Sequence, residues 1–162
     1  MIGLDVETTA LSPDEGRLRL IQVAGDRGTQ VFDADVEGKA AVRQILEFVQ
    51  DRHAVAHNAN FEELWARTFG ADLCLEDTLV MSRVLYGGTK DFKKARYVLA
   101  DVVKRELGSE LDKEMLDSDW SSPLTEEQLV VESFWDTGCR FSHPLSFDRG
   151  RHRGTSSSMV TA

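Results

Sequence analysis

Two carboxylates, Asp5 and Glu7, lie two residues apart in the N-terminal segment IGLDVE, which alternates apolar and acidic residues. The alternation predicts a strand with both carboxylates on one face and Leu4 and Val6 on the other. Neighbouring carboxylates repel unless a proton or cation lies between them, and oxygen ligands at this spacing suit Mg²⁺ or Mn²⁺. By itself the pair is more typical of a solvated strand face. However, it directly precedes Thr8 at the strand's C-terminal end, where α/β sheets place their sites, which makes it a candidate metal site.

A second polar group follows in the segment VAHNANFEE, residues 55–63. Glu62 falls in the first turn of a helix that follows a short strand, where a carboxylate also stabilises the helix dipole by about 0.3–1 kcal/mol. Asn58 is equally able to satisfy the backbone of the turn. We expect His57 to be packed or hydrogen-bonded rather than catalytic. The segment alone leaves structural and catalytic roles open.

The elements that must position these residues follow from hydrophobic periodicity. Strands are predicted over residues 2–7, 18–24, 29–32 and 53–56, and helices over 37–51, 60–70, 78–86, 97–107 and 125–136. Asn60 with Glu63, and Thr125 with Gln128, have the spacing of capping boxes. Three strands, then alternating helix and strand, then helices, predict an α/β fold with a central mixed sheet flanked by helices.

Composition limits the classes of function. The chain has 162 residues, 41% of them hydrophobic, and a formal net charge of −9. It has no apolar run long enough for a membrane span and no CxxC pair among its two cysteines, so we expect a cytoplasmic protein that does not contact membranes. Residues 137–162 carry four arginines against one aspartate and are predicted to form a disordered tail. The remaining body is too acidic to be a general phosphate-binding surface and would need bound cations to handle nucleic acid.

Several segments together resemble the DEDD 3′→5′ exonucleases, in the branch of ribonuclease D and the DNA polymerase I proofreading domain. They are GLDVETTALSPDEGRLRLIQVA, VAHNANFEELWARTFG, DTLVMSRVL and LADVVKRELGSELDKEMLDSDWSSPLTEEQL. The resemblance covers roughly residues 2–130, with the family's elements in order. It implies a ribonuclease H-like α/β fold, with an exonuclease domain over residues 1–136 whose C-terminal part is incomplete or divergent.

The resemblance also implies site residues and a mechanism. The expected metal ligands and catalytic acids are Asp5, Glu7, Glu62 and Asp136. The expected contacts to the substrate strand are Val6, Thr8, Leu11, Asn58 and Phe61, with Leu11 packing against the terminal base. Two divalent cations, Mg²⁺ or Mn²⁺, about 3.5–4 Å apart would clamp the scissile phosphate. The implied substrates are 3′ ends of single-stranded DNA or RNA, and the products are nucleoside monophosphates.

The chain departs from this family pattern at two places. Glu62 replaces the family's aspartate and adds one methylene. In the third motif, after LTEEQL, Val131 and Trp135 replace the expected tyrosine and aspartate. The nearest acid, Asp136, is one residue further on, which on an ideal helix turns it by about 100°. A charged residue near a helix end is the alternative interpretation of Asp136. The pair His143 and Asp148 has the histidine-branch spacing, but Pro144 and the flanking residues do not match.

These departures leave three hypotheses. The first is an active exonuclease. The second is a catalytically impaired domain of the same fold that binds nucleic acid or a protein. The third is a fragment of low stability, because its final helix is expected to lack its normal neighbours. Frameshift, truncation and true divergence remain open for residues 130–162, as do DNA against RNA, the cellular role and the oligomeric state.

Overall fold

The computed structural model describes residues 1–87, 97–111, 120–122 and 124. Five strands form one mixed sheet: β1 (Ile2–Thr8), β2 (Leu18–Gly25), β3 (Gly28–Asp33), β4 (Ala54–Ala56) and β5 (Glu76–Asp77). Their order across the sheet is β3-β2-β1-β4-β5. The first three strands pair antiparallel, and β4 runs parallel to both β1 and β5. The central strand β1 therefore brings its C-terminal end to the same edge of the sheet as that of β4.

Within the described residues, four helices accompany the sheet: α1 (Ala34–Gln50), α2 (Asn60–Thr68), α3 (Thr78–Tyr86) and α4 (Leu99–Leu107). Helix α1 contains a kink at Gly38, whose φ of 79° is accessible to glycine without a side-chain clash. Helix α2 is followed by Gly70 at φ 80°, the left-handed conformation with which many helices end. The predicted α/β fold with a mixed sheet is confirmed.

The hydrophobic core lies on the face of β1 that carries Leu4 and Val6. These residues pair with Val23 and Ile21 of β2, so the four side chains form one apolar surface. Helix α1 contributes the buried residues Val42, Ile45, Leu46 and Val49 to the same core. Full burial of each such side chain stabilises the fold by about 1.5–3 kcal/mol. Packing on this face leaves the alternate residues of β1, Asp5 and Glu7, free for another role.

Two local predictions require correction. The capping box of Asn60 and Glu63 does not form, because the N-cap of α2 is Ala59 and no side chain caps it. The carboxylate of Glu63 instead accepts a hydrogen bond from the backbone N–H of Leu75 at 3.1 Å. Strand β5 was not predicted at all. The predicted helix 125–136 and tail 137–162 lie outside the described residues.

In the part of the chain that the structure describes, no helix has the length and apolar character needed to cross a membrane.

Candidate active site

Asp5 and Glu7 lie on one face of β1, close to its C-terminal end, and both side chains are half-buried. Gln22, opposite Asp5 on β2, donates a long hydrogen bond of 3.4 Å from Nε2 to Asp5 Oδ2. Burial raises the pKa of Asp5 to about 6, against a smaller lowering effect of the Val6 backbone N–H. Burial, and then the charge of Asp5, raise the pKa of Glu7 to about 8. At neutral pH the pair therefore retains a proton, chiefly on Glu7, unless a cation replaces it.

A third acid, Glu62, lies in the first turn of α2. Its side chain is 3% exposed, and its Oε2 atom is buried without a hydrogen-bond partner. Burial is the largest cause that raises the pKa of Glu62 to about 8; its own backbone N–H opposes this, and the charges of Asp5 and Asp77 add to it. A buried carboxylate oxygen with no donor is costly when ionised. Glu62 is thus a third acid whose ionised form needs a positive partner.

The three acids fit a divalent cation in the chemistry of their donors. They supply carboxylate oxygens, which hard cations such as Mg²⁺ and Mn²⁺ prefer, and a cation would compensate their mutual repulsion. Among the described residues, however, no three His, Cys, Asp or Glu side chains are grouped closely enough to hold a metal ion. Asp136, the fourth expected ligand, lies outside the described residues. A cation site therefore requires these side chains to move together on binding, or a further ligand.

Four of the expected substrate contacts lie at or after the C-terminal end of β1 and at the start of α2. Leu11 is 85% exposed in the loop that follows β1, so an apolar side chain is presented to solvent. Asn58 is exposed and Phe61 half-buried at the start of α2. Thr8 is half-buried, and its hydroxyl donates to the carbonyl of Ala10 at 2.7 Å.

Val6 differs from the other expected contacts, because its side chain is buried in the hydrophobic core. Only its main chain is left to contact a substrate.

Sequence reasoning assigned no role to two residues that lie beside the acids. Gln22 is 6% exposed and hydrogen-bonds to Asp5; a lone glutamine inside the apolar run of β2 was the available signal. Asp77 accepts hydrogen bonds at Oδ1 from the backbone N–H groups of Asn58 at 3.1 Å and Leu79 at 2.8 Å. It thereby links the turn before α2 to the start of α3. Nothing in the spacing of Asp77 indicated that link.

A model of the 3′-5′ exonuclease family matches residues 1–131 of this chain. The chain belongs to the 3′-5′ exonuclease family, and the resemblance to the DEDD superfamily is confirmed. A search of curated protein sequences gave no match.

Solved structures with this fold include nucleases. A structure described as the apo form of a nuclease is 28% identical, with a TM-score of 0.67. NrnC of Brucella melitensis bound to pGG is 25% identical, with a TM-score of 0.66. NrnC of the same organism with bound Mg²⁺ is 23% identical, with a TM-score of 0.62, a level that shows the fold alone. Each match covers 79% of this chain and 62% of the other, so the chain spans less than two thirds of their length. The ribonuclease H-like fold is confirmed.

Proposed function

We propose that this protein is a metal-dependent 3′→5′ exonuclease that removes nucleoside monophosphates from single-stranded DNA or RNA. The observation that carries the proposal is a set of three acids with raised pKa values, Asp5, Glu7 and Glu62, in a chain of an exonuclease family. Asp5 and Glu7 lie near the C-terminal end of the central strand, and Glu62 lies close enough to Asp5 for the charge of Asp5 to raise its pKa. Groups with strongly perturbed pKa values concentrate at functional sites.

In this proposal the acids hold divalent cations, Mg²⁺ or Mn²⁺, with Asp5 and Glu7 on the strand side and Glu62 on the helix side. When bound, the cations supply Lewis-acid stabilisation of the charge that develops on the scissile phosphate. The raised pKa values require the acids to release protons before they bind cations. Asp136 is the proposed fourth ligand. The Mg²⁺ bound to NrnC supports the use of a metal by a protein of this fold.

The remaining residues of the site orient the nucleic acid. Leu11 is exposed in the loop after β1, so the terminal base can pack against it and bury apolar surface. Phe61 and Asn58, at the start of α2, contact the same end of the nucleic acid. Because the protein is acidic overall, with a net charge of −9, cations at the site would be needed to attract the phosphate. The pGG bound to NrnC supports a nucleic-acid substrate.

A second candidate function is a binding domain without turnover. Two observations favour it: Val131 and Trp135 stand where the family's third motif has tyrosine and aspartate, and no three acids are grouped closely enough for a metal among the described residues. Such a domain would bind the end of a nucleic acid through Leu11 and Phe61 but would not cleave it.

Digestion of a 5′-labelled single-stranded oligonucleotide, as DNA and as RNA, tests the proposal. Wild type, Asp5→Asn and the control Asp51→Asn are compared with Mg²⁺, with Mn²⁺ and with EDTA. Asp5→Asn removes one charge without changing shape, whereas Asp51 is an exposed acid that follows α1. We expect a ladder that shortens from the 3′ end for wild type and Asp51→Asn, and none for Asp5→Asn or with EDTA.

Circular dichroism of each variant ensures that folded proteins are compared. Absence of a ladder from folded wild type, together with retained binding of the oligonucleotide, would favour the binding domain. A ladder of equal rate from Asp5→Asn would show that the cleavage comes from elsewhere.

A further inference from the structure

The turn between β4 and α2, residues 57–59, has a backbone conformation that its surroundings must hold. Asn58 has φ 71° and is the one residue other than glycine with a positive φ in the described ranges. The left-handed conformation costs an L-residue about 1–2 kcal/mol. No side chain caps α2, so local capping does not fix the direction of this helix. The turn therefore depends on contacts with neighbouring segments.

Asp77 provides one such contact. Its Oδ1 atom accepts the backbone N–H of Asn58 at 3.1 Å and those of Leu79 and Val80, at 2.8 and 3.3 Å, in the first turn of α3. A single carboxylate oxygen thus caps α3 and holds the turn before α2. Charge-assisted hydrogen bonds of this kind are stronger than neutral ones.

His57 provides the other contacts, and both of its ring nitrogens are used. Nε2 lies 3.0 Å from the backbone carbonyl of Tyr97, and Nδ1 lies 2.9 Å from the hydroxyl of Thr78. A carbonyl only accepts, so Nε2 carries the proton. In the neutral ring Nδ1 is an acceptor, and the single proton of the Thr78 hydroxyl is shared between Nδ1 and the backbone carbonyl of Ala56, 3.2 Å away. Burial is the main cause that lowers the pKa of His57, which agrees with a neutral ring. His57 therefore joins the turn to the start of α3 and to the segment that leads into α4.

We propose that His57 is a positioning residue that fixes the Asn58 turn. Through the start of α2 it orients Glu62 and Phe61 toward the 3′ end of the bound nucleic acid. Glu62 lies only five residues from His57, in the first turn of α2, which follows the turn directly. Displacement of a positioned group by about 1 Å can lower the rate about 100-fold. The inference rests on the proposed function for its effect on activity. Its effect on the turn is independent of activity.

The experiment compares His57→Ala, His57→Gln and the control His53→Ala with wild type. His57→Ala removes both hydrogen bonds. His57→Gln keeps a side-chain donor of similar reach toward the Tyr97 carbonyl. His53 is an exposed histidine that contacts Glu76, away from the turn. Two quantities are measured on folded protein: hydrogen exchange of the Asn58 amide by NMR, and kcat and KM on the labelled oligonucleotide.

We expect the Asn58 amide of His57→Ala to exchange about ten-fold faster, because the substitution removes both hydrogen bonds of the ring that hold the turn. We expect partial rescue in His57→Gln and no change in His53→Ala. We expect kcat/KM to fall about 10- to 100-fold in His57→Ala, to fall less in His57→Gln and to stay unchanged in His53→Ala. Unchanged Asn58 exchange in His57→Ala would overturn the inference. If wild type is active, a His57→Ala protein with the kcat/KM of wild type would also overturn the inference. Wild type without activity would count against the proposed function only, and the exchange data would still decide the role of His57.

Discussion

Replacement of Glu62 by glutamine should stabilise the metal-free protein while it abolishes catalysis. Glutamine has nearly the same shape as glutamate but no charge to bury. The pKa of Glu62 rises from 4.5 to about 8 in the folded protein, so the folded state binds this proton more tightly than the unfolded chain does. Stability therefore falls as the pH rises from about 4.5 to about 8, where the folded carboxyl ionises.

The size of the effect follows from this shift. One pKa unit corresponds to about 1.36 kcal/mol, so the burial of the Glu62 carboxyl costs about 1 kcal/mol at pH 5 and about 3 kcal/mol at pH 7. Glu62→Gln removes this cost. For a chain of this size we expect the melting temperature to rise by about 2–4 °C at pH 5 and by about 6–12 °C at pH 7.

The assay is thermal and urea unfolding in EDTA, followed by circular dichroism at both pH values. Glu63→Gln is the matched control, because Glu63 is the next residue of α2 but its carboxylate accepts from Leu75 and faces Arg67. That change should alter stability by less than about 1 kcal/mol. The reasoning is refuted if Glu62→Gln is no more stable than wild type at pH 7, or if its gain does not increase with pH.

Three further predictions concern the same site. Binding of Mn²⁺ should release protons and strengthen between pH 5 and pH 8, because Asp5, Glu7 and Glu62 must ionise to bind the cation. Calorimetry in two buffers of different ionisation enthalpy measures the proton release, and binding without proton release would contradict the prediction. Leu11→Ala should change the free energy of unfolding by less than about 0.5 kcal/mol, since Leu11 is 85% exposed. The same substitution should raise KM for the oligonucleotide, and an unchanged KM would show that Leu11 does not contact the substrate. Asp77→Ala should cost about 1–2 kcal/mol in urea unfolding, because it removes the cap of α3; a loss well below that range would show that water replaces the cap.

Strong periodicity made most of the fold predictable. The alternation of β1 and the spacing of Val42, Ile45, Leu46 and Val49 in α1 each have one arrangement that buries the apolar side chains. Strand β5 has only two residues, Glu76 and Asp77, and such a segment has no period to detect. Its pairing is set by β4, which is a tertiary effect.

The placement of Asp5 and Glu7 on one face of β1 was predictable because strand alternation fixes it. Their role as metal ligands stays a prediction. The prediction of an Asn60 cap was wrong because residue spacing does not show the backbone conformation of the turn, in which Asn58 is left-handed and the N-cap is Ala59. Asp77 acts through a partner in the turn before α2, which no local pattern marks, and the signal for Gln22 was only a lone glutamine inside an apolar run. The assignment of Asp136, the domain boundary at residue 136 and the cytoplasmic location stay predictions.

The most direct test of the central claim is the order in which products leave a single strand labelled at both ends with different dyes. With Mn²⁺, we expect the 3′ dye to appear first as a labelled mononucleotide, while the 5′ dye moves through successively shorter strands. Asp5→Asn should give neither product. Early release of the 5′ dye, release of internal fragments, or cleavage that persists in EDTA would contradict a metal-dependent 3′→5′ exonuclease built on Asp5, Glu7 and Glu62.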